Sequence, residues 1–177
     1  MESIKPYNVD YIDGSHAYID VYVTVPGRKS IILNAPGKGS FKEIIKPRAF
    51  EESIHYYGSV PACLNHDREI ASSKDVEIWE DNIGLRAIVK TKDIETLAKI
   101  LSGKIVGCSF TFKCLREKIE NEIIVNVRTV EKLKLTEISF IDDRKCPTYN
   151  SCSILAVTIP KNLVNSIAEY RIGLINK

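Results

Sequence analysis

The hydrophobic pattern changes period along the chain, and each change marks an element. Tyr18–Val25, YIDVYVTV, is rich in β-branched and aromatic residues and stops at Pro26-Gly27, so it predicts a strand closed by a turn. Ser30–Leu33 predicts a short second strand, and Asn34-Ala-Pro-Gly-Lys-Gly-Ser40 a loop. Phe41–Ile45 leads to Pro47, which suits the first turn of a helix because its missing N–H would be unpaired there anyway. Phe50, Ile54 and Tyr57 then share a helical face that Gly58 ends. Val60–Leu64 predicts a short apolar strand that delivers Asn65-His66-Asp67. Strands follow at Val76–Trp79 and Gly84–Lys90, joined by a turn at Glu80-Asp81-Asn82. Asp93 is placed to N-cap a helix over Ile94–Ser102, with Ile94, Leu97, Ala98 and Leu101 as its apolar stripe and Gly103 closing it.

Ile105–Lys113, IVGCSFTFK, reads as a strand with two different faces, one apolar and one mostly polar. Val106, Cys108, Phe110 and Phe112 fall on a core face; Ile105, Gly107, Ser109, Thr111 and Lys113 fall on the other. A small hydroxyl at Ser109, on a stiff strand with Gly107 leaving room beside it, is a place for a nucleophile. The same pattern also describes an ordinary strand whose serine bonds to water or backbone. A charged connection over Arg116–Glu122 turns the chain into strands at Ile123–Val130 and Lys132–Ile141. Pro160–Ile172 predicts a helix with Leu163, Val164, Ile167 and Tyr170 inward. About nine strands and about three helices predict an α+β fold, mainly β: a curved sheet or β-barrel flanked by the helices. The length of 177 residues suits one domain over residues 1–177.

Charge and cysteine usage narrow the chemistry. A net charge of +2 gives no electrostatic case for nucleic acid. The amino-terminal MESIKPYNVDYIDG has no apolar run, so neither a signal peptide nor a membrane anchor is expected. The five cysteines, at 63, 108, 114, 146 and 152, form no Cys-x-x-Cys pair, which disfavours a disulfide framework or structural zinc and fits a reducing cytosol. His16, His55 and His66 are too scattered for a helical metal pair, so the chemistry is expected to need no metal and no cofactor. The glycines of 34–40 lack the Gly-Lys-Ser/Thr ending of a phosphate loop.

His66 stands at a strand end, where an imidazole can be half-exposed and shuttle protons; a turn histidine is the plainer alternative. In KLKLTEISFI, Glu137 shares its phase with Leu133 and Leu135, which predicts a partly buried carboxylate. Burying that charge costs several kcal/mol unless it is compensated. Either a basic residue pairs with it, or it orients a catalytic histidine. Serine, histidine and a third acidic group make the layout of nucleophilic acyl transfer.

FKEIIKPRAFEESI (41–54), LNHD (64–67), EDNIGL (80–85), GKIVGCSFTF (103–112) and LTEISFIDDRKCPTYNS (135–151) run in the order and rough spacing of the tailed-phage prohead proteases. Over about residues 15–160 the chain resembles that family of capsid-maturation serine proteases, whose fold is like that of the herpesvirus assemblins; a helix over about 160–172 follows. The resemblance implies Ser109 as nucleophile, His66 as general base and Glu137 as the acidic third member, where herpesvirus relatives use a second histidine. It implies a serine endopeptidase that cleaves the scaffolding segment of a major capsid protein, or a scaffolding protein, and also itself. The setting would be the assembling prohead in the bacterial host cytoplasm, and a dimer is expected by analogy with the assemblins. Arg144-Lys145 stands where assemblins carry an oxyanion-hole basic pair; a solvated cluster with Asp142 and Asp143 is the alternative.

The chain departs from the family pattern in three places. Ile70-Ala71-Ser72-Ser73 replaces a Leu-Gly or Ile-Gly step, Arg48 stands in for the glycine of Pro-Gly-Ala-Phe, and Cys146 stands where an alanine would be unsurprising on the family's pattern. Competing readings are a Cys108 nucleophile, disfavoured because alternation packs that thiol in the core, and an α/β-hydrolase, disfavoured because Gly107-Cys-Ser-Phe-Thr111 continues as a strand. A non-enzymatic module that binds capsid or scaffold is the alternative from another class.

Overall fold

The computed structural model describes residues 14–175 except 36, 38 and 150, so the reading of the amino-terminal segment lies almost wholly outside the described residues. Ten strands and three α-helices run along the described chain. β1 (Ala17–Thr24), β6 (Val76–Glu80), β7 (Leu85–Thr91) and β10 (Ser153–Thr158) form a four-stranded sheet in the order β10-β1-β7-β6. The second sheet has the order β2-β3-β9-β4-β5, with β8 on the other edge of β9. Its strands are β2 (Ile32–Ala35), β3 (Gly39–Ile45), β4 (Ala62–Leu64), β5 (Arg68–Ala71), β8 (Ile105–Glu120) and β9 (Asn126–Asp142). The fold is α+β and mainly β, and its sheets are open, which decides between the curved sheet and the barrel.

β9 is the spine of the second sheet. Along one edge it pairs in parallel with β3 at residues 126–130 and with β4 at 138–140; along the other it pairs antiparallel with β8 over nearly its whole length. The expected connection at Arg116–Glu122 is therefore mostly strand: the charged side chains ride on an exposed part of β8, and the hairpin turns only after Glu120. The two strands expected at Ile123–Val130 and Lys132–Ile141 are one, while Ile123 and Ile124 sit fully exposed in the turn. The expected loop at 34–40 is also shorter, since Asn34 and Ala35 pair with Ser40 and Gly39 as the ends of a β2–β3 hairpin.

Of four register shifts between β8 and β9, the two nearest Ser109 set which side chains face the core there. Ile105 opposes Asp142 but Gly107 opposes Ile141, so Val106 is the extra residue and turns out, half-exposed, instead of joining the core. Thr111 opposes Glu137 but Phe112 opposes Leu135, so Thr136 is the extra residue on β9. Beyond that bulge the buried phase shifts from Leu133 and Leu135 to Ile138 and Phe140.

α1 (Ala49–Tyr57) packs Phe50 edge-on against Phe110, with ring centroids 5.0 Å apart. Tyr57 turns outward, and Gly58 ends the helix with its N–H on Ile54 O. Pro47 lies just outside the helix. Arg48 is the N-cap, at φ 73, a left-handed conformation that the glycine of the resembled pattern takes without strain. No side chain of α1 caps it; the Glu80 carboxylate on β6 accepts the N–H groups of Arg48, Phe50 and Glu51 at 2.7, 3.1 and 3.0 Å. α2 (Ile94–Leu101) is capped by Asp93, whose carboxylate accepts the Thr96 N–H at 2.8 Å, and Gly103 follows it at φ 69. Leu97 and Ala98 are buried, whereas Leu101 is exposed. α3 (Lys161–Ile175) lies along α2 through Ile167, with Leu163 and Tyr170 half-buried; Val164, expected inward, faces solvent.

Candidate active site

β4 ends at Leu64 and the chain reverses into β5 through Asn65-His66-Asp67. Asn65 and His66 have φ values of 58 and 64, and the Asp67 N–H bonds to Leu64 O at 3.0 Å, a hairpin turn of the I′ kind. Neither residue is glycine, so the left-handed positions carry a cost, at most roughly 1–2 kcal/mol at His66 and less at Asn65. The end of β9 offsets that cost. The Asn65 N–H donates to Phe140 O at 2.8 Å, the Asn65 amide oxygen accepts the Asp142 N–H at 3.0 Å, and the Ser139 hydroxyl oxygen accepts the His66 N–H at 2.8 Å.

Register decides which side chains meet above this end of the sheet. Ser109 lies directly opposite Ser139 on β9, Thr111 opposite Glu137, and Cys63 of β4 opposite Ser139 on the far edge. Residues opposed across paired strands share a face. Cys63, Glu137, Ser139 and Ser109 therefore line one face, while Ala62, Leu64, Ile138, Phe140, Cys108 and Phe110 point into the core. Had the alternation of Leu133 and Leu135 continued, Glu137 would lie in the core; the extra residue Thr136 turns it to the Ser109 face. Its partial burial follows from that bulge.

The His66 Nδ1 and a Glu137 carboxylate oxygen are in direct hydrogen-bond contact. A carboxylate partner assigns the hydrogen to Nδ1 and leaves the lone pair on Nε2. The second Glu137 oxygen faces the Cys63 thiol, Sγ to Oε2 3.7 Å. Burial first, then the Glu137 charge, pushes the Cys63 thiol up to about 11, so it is a donor to the carboxylate at neutral pH. Cys108 is packed in the core, and a hydrogen bond with Cys152, then burial, raises its thiol well above the usual range, which makes it a poor nucleophile.

The His66 side chain is 30% exposed and Ser109 8%. Neither Ser109 Oγ nor His66 Nε2 makes a hydrogen bond among the described residues, and β9 lies between their strands. Two strand spacings are roughly 9.6 Å, a gap that the imidazole narrows by leaning across β9 onto Glu137. The room expected beside Gly107 is filled: a Cβ there would stand 2.8 Å from Pro147 Cγ, so the segment after β9 closes over this part of β8.

Arg144 and Lys145 belong to that segment, and their donors are engaged. The Arg144 guanidinium pairs with Asp142, and its N–H donates to the same carboxylate at 3.2 Å. The Lys145 N–H donates to Asp142 O at 3.1 Å, while its ammonium donates to Asn65 O at 2.6 Å and to Asp67 at 2.9 Å. Asp142 is fully buried; Arg144, with Lys99 and Asn65, holds its carboxyl far below the usual range. The alternative of a charge cluster with Asp142 thus describes these contacts, although Asp142 itself is not solvated.

Of the residues expected to carry chemistry, His66 and Glu137 are in contact and Ser109 shares the face of Glu137. His16 and His55 are elsewhere: the ring of His16 meets the Ser15 hydroxyl and that of His55 packs edge-on against Tyr56. Ser139, Asn65 and Cys63 were not singled out from the sequence; the signal available was the two-residue spacing of Ser139 from Glu137, which puts both on one strand face. Among the described residues no three His, Cys, Asp or Glu side chains gather where a metal ion could be held, and no helix is long and apolar enough to cross a membrane.

A family model described as Caudovirus prohead serine protease matches residues 5–164 of the chain. No curated protein and no solved structure matches it.

Proposed function

The chain belongs to the caudovirus prohead serine protease family, a family of serine peptidases of capsid maturation, and from that premise we propose that it cleaves peptide bonds by a Ser109-His66-Glu137 acyl-enzyme mechanism. The observation that carries the reading is the contact of His66 Nδ1 with Glu137 above the sheet face that also bears Ser109. With Nδ1–H donated to Glu137, the lone pair of Nε2 takes the Ser109 proton as Oγ attacks the scissile carbonyl. Glu137 stabilises the imidazolium. His66 then protonates the leaving amine, and water, activated by the same nitrogen, resolves the acyl-enzyme.

Cys63 supports Glu137 by donating to its other oxygen. The positions of Arg144 and Lys145 in the sequence suggest oxyanion donors, but their N–H and side-chain groups are engaged with Asp142, Asn65 and Asp67. In our reading they brace the His66 turn in the resting enzyme, and any oxyanion role begins with release of those bonds. The substrate is the scaffolding segment of the major capsid protein, and the chain itself, within the assembling prohead in the host cytoplasm. The whole chain acts as one protease unit.

Coexpression with the cognate capsid precursor tests the proposal. Ser109→Ala should abolish processing, a loss on the order of 10⁶-fold for a nucleophile, with an unchanged circular dichroism spectrum. Glu137→Gln should slow it by a smaller factor, roughly 10⁴-fold, because the wrong tautomer of His66 is then held. Normal-sized products from Ser109→Ala would overturn the assignment. An intact precursor beside the wild-type chain would favour a non-cleaving assembly module.

A further inference from the structure

We infer that Ser139 is a positioning residue for the reaction, an inference that rests on the reading of His66 as general base. Ser139 is the one side chain whose hydroxyl accepts the His66 N–H, at 2.8 Å, and it also stands directly across the ladder from Ser109. It is 2% exposed, so no solvent competes for that bond. Glu137, two residues earlier on β9, grips the imidazole of His66 while Ser139 grips its backbone.

Both contacts are needed to define an imidazole orientation. Glu137 alone fixes one ring nitrogen and leaves the ring free to swing about that contact as the turn shifts. The turn is left-handed at two successive non-glycine residues, so its shape leans on anchors beyond its own backbone. Its other anchors hold the flanking residues: Asn65 through Phe140 O, the Asp142 N–H and Lys145, and Asp67 through Lys145 and Leu64 O; none of them touches His66 itself. Ser139 is therefore the tie that converts a clamped turn into a fixed direction for Nε2. Its own O–H finds no acceptor among the described residues and is left for the face it shares with Ser109.

The test uses a fluorophosphonate, which does not require the cleavage sequence. Ser109 Oγ forms an O–P bond, fluoride leaves, and His66 Nε2 takes the hydroxyl proton; mass spectrometry locates the adduct. Ser139→Ala should lower the maximal labelling rate per active site roughly 10- to 100-fold, the scale of a small misplacement of reacting groups, with the half-saturating probe concentration within about twofold of wild type. Ser139→Thr, which keeps the hydroxyl, should recover most of the rate. A merely structural role would reduce the fraction of chains that can be labelled and leave the rate per labelled site unchanged, and that result overturns the inference. Should Ser139→Ala not fold, Ser139→Cys, close in size with a weak acceptor, carries the test, and a wild-type rate from it overturns the inference. Labelling of Ser109 in both wild type and Ser139→Ala at equal rates removes the role of Ser139 but leaves the protease reading standing. Absence of any adduct on wild-type Ser109 removes the protease reading, and this inference with it.

Discussion

At its Ser109 end, from Gly107 to Phe110, β8 is buried at every residue, and the β9 residues opposite, Ile138 to Ile141, are buried as well. From Lys113 to Glu120 the same strand is exposed or half-exposed, and its pairing is dressed with ion pairs such as Arg116–Glu131 at 2.7 Å and Arg128–Glu117 at 2.6 Å. One ladder thus has a core-supported half, which carries the candidate site, and a charged half ending in the exposed Ile123-Ile124 turn. Cross-strand hydrogen bonds run through both. What differs is the burial of β8, since Val127, Val130 and Leu133 of β9 stay buried opposite its exposed half, and burial of both strands is what holds a serine, a carboxylate and a histidine turn in fixed relation. The exposed Arg116–Glu131 pair is weak and salt-screened, so it leaves the outer side chains of the distal half loosely fixed, whereas Arg128 is half-buried between Glu117 and Glu43.

The sharpest break of this contrast comes from apolar truncation. Phe110→Ala removes a ring packed on Phe50 and stacked on Tyr149, and should cost about 3–5 kcal/mol in denaturant unfolding. Ile119→Ala, on the distal half, should stay within about 0.5 kcal/mol. Equal losses would show that the two halves are supported alike. A middle-sized effect is expected from acid. The buried Asp142 carboxyl, at the end of the core-supported half, titrates below its ordinary value of 3.8 because Arg144, with Lys99 and Asn65, favours its charged form. A folded-state pKa below the unfolded one means that this stabilisation is complete above pH 3.8 and is lost as pH falls through the folded value. Unfolding free energy should therefore fall more steeply below pH 3.8 in the native chain than in Asp142→Asn; parallel curves would exclude Asp142 as the source. The smallest effect belongs to the distal half. Arg116→Ala should shift stability by less than about 1 kcal/mol at low salt and by nothing measurable in 1 M salt.

The same contrast explains what could be read in the sequence. IVGCSFTF announced its strand because large apolar residues alternate there, and the register keeps Cys108 and Phe110 inward with Ser109 on the opposite face. Asp93, Gly58 and Gly103 marked helix ends through local backbone chemistry that each residue carries itself. The charged residues from Arg116 to Glu120 concealed a strand because their partners lie on β9, and a one-chain pattern does not show pairing. Bulges at Val106 and Thr136 were hidden for the same reason, since an extra residue is defined only against the strand opposite. His66, Glu137 and Ser109 could be nominated from motif order. The hold of Ser139 and Lys145 on the His66 turn could not, because it depends on which strand lies beside β4.

α1 bears on how the chain acquires this arrangement. It is nine residues long, too short to persist by itself, and the acceptor for its first N–H groups is Glu80, 29 to 32 residues downstream. The helix accordingly gains its cap only once the β6–β7 hairpin has come to rest against it. Phe50 on that helix is also the edge-on partner of Phe110, the neighbour of Ser109. The cap of α1 and the packing of Phe110 thus both depend on the β6–β7 hairpin being in place, which couples the strand of the candidate nucleophile to an element distant from it in sequence.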